Sequence, residues 1–68
     1  MMSLGEALPK EMDRVRDEVM PAYQKIGPVG HFALMMMRDD LKKATEALAS
    51  GDIQEMIRAY RCLKAYNL

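Results

Sequence analysis

Ser50-Gly51-Asp52-Ile53-Gln54-Glu55 decides how this chain folds, because it sets a helix end and a helix start back to back. Gly51 can adopt the left-handed backbone that closes a helix, and Asp52 with Glu55 three residues later forms a capping-box start. Beyond it, Ile53, Met56, Ile57, Tyr60 and Leu63 give a third helix, about 53–66, one apolar face. Before it, Leu34, Met37, Leu41, Ala44 and Leu48 trace the stripe of a second helix over about 31–49.

Further back, Gly27-Pro28-Val29-Gly30 is the other boundary. Ahead of it Leu8, Met12, Val15, Val19, Tyr23 and Ile26 recur at steps of three and four, which predicts one long helix over about 9–26 opening at Pro9. Pro21 interrupts that helix. The stripe keeps its phase across the proline, which falls opposite the apolar face, so a kinked continuous helix is favoured over a second short helix starting at Pro21. Residues 1–7 carry no periodicity and read as a loose segment, from which Leu4 can pack back; residues 8–68 read as a single domain. Short connections make sequential helices antiparallel neighbours, so the expected fold is all-α, a small up-down-up three-helix bundle whose first helix is kinked at Pro21. That topology gathers Met20, Tyr23 and Ile26, then Phe32 to Met37, then Leu63, Tyr66 and Leu68 at one end of the bundle.

Phe32-Ala33-Leu34-Met35-Met36-Met37 carries the functional signal. Six consecutive apolar residues point in every direction around a helix, and one core covers only part of them. Leu34 and Met37 belong to the core stripe, whereas Phe32, Met35 and Met36 fall among Asp39, Lys43 and Glu46, where polar residues belong. Unbranched methionine side chains adapt to varied apolar partners. Met20, Phe32, Met35, Met36 and Tyr66 are therefore the candidate interface, with a homodimer ranked ahead of a different protein because symmetric self-association is the commonest fate of such a patch.

Sixty-eight residues allow one modest core, and association would enlarge it. Apolar residues make up 50% of the chain, too many for a disordered tail. Ten Lys and Arg balance ten Asp and Glu, so no overall field draws in nucleic acid or anionic lipid. Cys62 is the lone cysteine, which excludes an intramolecular disulfide. No basic segment is followed by a long apolar run, so neither secretion nor a membrane span is indicated and a cytoplasmic location is expected.

No motif for chemistry stands out. His31 and Cys62 are two ligands where structural zinc needs four, and neither C-x-x-C nor H-x-x-x-H occurs. Asp13, Asp17, Asp39 and Asp40 read as a solvated face with partners such as Lys43, and Arg14 has Glu18 four residues on. The Glu-x-x-His signature of di-iron bundles is missing, so no catalytic residue, metal or cofactor is expected. Arg58, Arg61 and Lys64 form a basic row on the third helix, the basis for an alternative reading as a weak nucleic-acid-binding module. Dipole compensation explains that row more simply, and Asp52 and Glu55 at the start of the same helix would face phosphate.

Gly51 to Tyr60 resembles the turn and second helix of a tetratricopeptide repeat. Asp40 and Lys43 stand where that family's first helix carries large apolar residues, and no second copy follows, so a stacked array is excluded. Leu8-Pro9-Lys10-Glu11-Met12, Met37-Arg38-Asp39-Asp40-Leu41, and Met56-Ile57-Arg58-Ala59-Tyr60 with Leu63-Lys64 give the chain a resemblance to short uncharacterised bacterial helical proteins often found in phage or prophage regions. The resemblance implies a bacterial cytoplasmic helical domain and no activity. The sequence thus leads to a non-enzymatic helical protein-protein interaction module, homodimeric through its Met-rich and aromatic end.

Overall fold

In the computed structural model, which describes residues 3–67, the first helix starts at Leu4, well before Pro9. Ser3 is extended and its carbonyl accepts from the backbone N–H of Glu6 at 3.0 Å and of Ala7 at 2.8 Å, while Leu4 packs against the core. Residues 4–7 are therefore helical, which corrects the expectation of a loose segment over 1–7; Met1 and Met2 lie outside the described residues. Pro9 sits inside this helix, and the carbonyl it deprives of a donor belongs to the exposed Gly5.

The helix divides into α1 (Leu4–Arg14), a π-helical turn (Val15–Val19) and α2 (Met20–Lys25). The backbone stays right-handed helical throughout, at φ −76°, ψ −49° for Val19 and φ −59°, ψ −45° for Met20, so the rod passes through Pro21 without a break. The wide turn is what accommodates the proline. Met20 N–H reaches back five residues to the Val15 carbonyl, and an extra residue is taken up just before the position that has no N–H to give. One added residue turns everything downstream by about 100°. Met20 consequently enters the core at 9% exposure, while Ile26, the last member of the expected stripe, turns out to 56%.

Gly27 takes φ +73° and ends α2, and a 3-10 turn (Gly27–Gly30) leads into α3 (His31–Ser50). Gly30 is buried at this corner, where a Cβ would lie 2.5 Å from the Tyr23 carbonyl oxygen. At the other corner Gly51 has φ +71° and donates its N–H to the Ala47 carbonyl at 3.0 Å. Asp52 then caps α4 (Ile53–Lys64), accepting at Oδ1 from the N–H groups of Gln54 at 3.0 Å and Glu55 at 3.2 Å. Only half of the capping box forms, because the Asp52 N–H goes to Ser50 Oγ and Glu55 pairs with Arg58.

α3 packs on α2 and α1, and α4 packs on α3 and α1, completing a three-helix bundle. Leu8, Val15, Val19, Met37 and Leu63 are its largest fully buried side chains, joined in the core by Met20, Leu34, Ala44, Ala47, Met56 and Ala59. The third helix buries Met56, Ala59 and Leu63 and leaves Ile53 and Ile57 exposed. Small alanines on both α3 and α4 let the two helices approach closely, and the buried stripe of α4 centres on Ala59 rather than on the isoleucines.

Candidate functional site

α4 has twelve residues and α3 has twenty, so α4 runs for about 18 Å beside a partner of about 30 Å. It stops halfway. Arg14, at the end of α1, marks the place: Nη2 donates to the Leu63 carbonyl at 3.1 Å and the Tyr66 carbonyl at 2.9 Å, capping α4 from across the bundle. Glu11, not Glu18, orients the guanidinium, accepting from Nε at 2.6 Å. Tyr66 reaches α3 from the same point and donates its hydroxyl to Asp40 Oδ2 at 2.6 Å. Burial, reinforced by the Asp40 carboxylate, pushes the Tyr66 phenol well above its ordinary pKa.

Tyr66 therefore meets α3 at its middle, one helical turn from Met36, and Leu68 lies outside the described residues. Tyr66 is half-buried with its hydroxyl committed to Asp40, and Met20 belongs to the core. Phe32, Met35 and Met36 remain outside the core, at 73%, 55% and 46% exposure. All three lie on the flank of α3 turned away from the Leu34, Leu41 and Leu48 side that packs into the core. Met36 stands one helical turn before Asp40, so it continues the side of α3 that α4 would have covered had it been longer. Val29 and Ile26 are also exposed, at the corner that precedes α3.

Past the patch, Asp39 and Lys43 pair with each other at 3.0 Å, which raises the Lys43 pKa. Two aspartates on the first rod are similarly engaged. Asp13 and Asp17 both bind Arg16, whose guanidinium holds Asp17 below its ordinary pKa and is itself pushed up. Among the described residues no three His, Cys, Asp or Glu side chains converge as metal ligands, and no helix is long and apolar enough to cross a membrane.

His31 opens α3, whereas the exposed Cys62 lies on α4 near Lys43. Twelve residues of helix separate His31 from Lys43, about 18 Å, so the two residues do not share a site. Arg58, Arg61 and Lys64 are exposed on α4, but Arg58 is bound to Glu55 at 3.0 Å and Lys64 lies 5.3 Å from the centre of the Tyr60 ring. Shallow, solvent-open hollows occur beside Gln24, Pro28 and His31 and beside Ile57, Arg61 and Cys62. Periodicity alone revealed neither the Arg14 cap nor the Tyr66 to Asp40 contact, because both join residues far apart in the chain. A comparison with protein-family models, curated proteins and solved structures finds no match to this chain.

Proposed function

We propose that this chain is a non-enzymatic helical interaction module that self-associates through the exposed flank of α3. The observation that carries this reading is the joint exposure of Phe32, Met35 and Met36 on a side of α3 that no other helix covers among the described residues. Three large apolar side chains in water are a standing driving force for association, and flexible methionines conform to the surface that covers them. The commitment of Asp13, Asp17, Asp39 and Asp40 to Arg16, Lys43 and Tyr66 supports binding over catalysis, because acid-base work needs a group aimed at a substrate.

Sedimentation tests the reading. The wild-type chain is expected to dimerise with rising concentration and to remain dimeric in high salt, as an apolar interface does and a phosphate-binding one does not. Met35→Lys with Met36→Lys should give a folded monomer, since both positions are solvent-exposed within one copy and buried only when two copies meet. A wild-type chain that stays monomeric at about 0.5 mM overturns the proposal.

A further inference from the structure

We infer that the second copy docks by pairing its α3 antiparallel to the first, about a two-fold axis passing between Met35 and Met36. This rests on the self-association proposed above and adds its geometry. The first argument is area. Phe32, Met35 and Met36, with Val29 at 86% and Ile26 at 56% exposure, offer roughly 600 Å² of apolar residue surface. Two copies covering it remove about 1,200 Å² from water, the lower end of what a stable specific interface buries. A second copy of this patch, covering it fully, thus reaches the range of a specific interface.

The second argument is charge. The outward stripe of α3 reads Phe32, Met35 and Met36, Asp39, Lys43, Glu46, apolar in its first half and charged in its second. A parallel pair would set Asp39 on Asp39, Lys43 on Lys43 and Glu46 on Glu46, three like-charge contacts in register. Antiparallel pairing about Met35 and Met36 removes all three. It sets Met35 of one copy on Met36 of the other and brings Phe32 beside Asp39. The four methylenes of Lys43 can then cover apolar surface of the other copy while the ammonium stays in water and keeps its Asp39 partner. Opposed helix dipoles favour the same direction.

Disulfide trapping in a Cys62→Ser background tests this, with circular dichroism confirming that each variant folds. Met36→Cys, next to the axis, is expected to oxidise to a covalent dimer. Asp39→Cys alone should stay unlinked, yet mixing it with Phe32→Cys should give the mixed dimer, because these two positions face each other only in the antiparallel pair. Self-linking of Asp39→Cys overturns the antiparallel geometry and leaves self-association standing. Linking of Ile57→Cys, on the exposed face of α4, in place of Met36→Cys moves the interface off α3 and overturns the inference. A wild-type chain that sediments as a monomer at about 0.5 mM overturns this inference together with the proposed function.

Discussion

Tyr66 and Asp40 lie 26 residues apart in the chain and meet through a 2.6 Å hydrogen bond from the phenol to carboxylate oxygen Oδ2. The contact fixes the end of α4 to the middle of α3, while Arg14 fixes the same end to the first rod. Two polar side chains thus set where the third helix stops. They also leave the upper half of α3 without a neighbour on that side.

Tyr66→Phe keeps the ring in place and removes the donor. A charge-assisted hydrogen bond is lost and Asp40 stays half-buried without it, so unfolding in urea should show a loss of about 1–3 kcal/mol. An unchanged midpoint would mean that water replaces the phenol at no cost.

The same phenol gives stability an alkaline limit. Its pKa is raised in the folded chain, by burial first and by Asp40 second, above the 10.0 of a free tyrosine. Below the unfolded value both states keep the proton and the contribution is complete. As pH rises from about 10 toward the folded value, the unfolded chain ionises first and stability falls. Urea midpoints taken across that range should drop more steeply for the wild-type chain than for Tyr66→Phe.

Gly30→Ala tests the corner between α2 and α3. The new methyl would lie 2.5 Å from the Tyr23 carbonyl oxygen and 3.0 Å from Ile26 Cγ1, and the first of these is backbone that cannot rotate aside. The two helices must separate, at a cost of about 1–3 kcal/mol measured by chemical denaturation.

At Gly51 the obstacle is backbone conformation rather than space. A Cβ there meets nothing within 4 Å, but φ +71° strains a branched side chain, so Gly51→Val should destabilise by about 1 kcal/mol or more. Asp52→Ala, which removes the acceptor for Gln54 and Glu55, should cost roughly 0.5–2 kcal/mol. Neutral results for both would contradict the geometry of this turn.

Arg14→Met retains the apolar stem and removes the fork that caps α4. The Tyr66 carbonyl loses the Arg14 donor and the Leu63 carbonyl keeps only the Tyr66 N–H, which should cost about 1–2 kcal/mol and lower the helical signal as the last turn of α4 frays.

Helix periodicity revealed most of the fold and part of the candidate site. The Gly51-Asp52 boundary, the Gly27 to Gly30 corner and the core role of Leu34 and Met37 follow from local rules that hold in any helical protein. So does the exclusion of Phe32, Met35 and Met36 from the core, since a stripe reserves a limited arc of the helix. Met20 and Ile26 were legible only to someone who knew of the π turn. A constant 100° per residue cannot register an added residue, and the proline that calls for it gives no sign of whether the helix will break, bend or widen. Arg14 and Tyr66 were hidden for a different reason: their partners are set by the length of α4, which is a property of the assembled bundle.

The early stop of α4 also divides the molecule dynamically. Where three helices pack, opening any backbone amide exposes a shared core, so amide protons of Val15, Ala44 and Ala59 should exchange with solvent only when the whole chain unfolds. The segment from Gln24 to Met36 rests on a two-helix contact with one flank in water, and it can open as a separate unit at lower free energy. A partner that covers α3 would slow exchange there first, turning the least protected part of the chain into a direct reporter of binding.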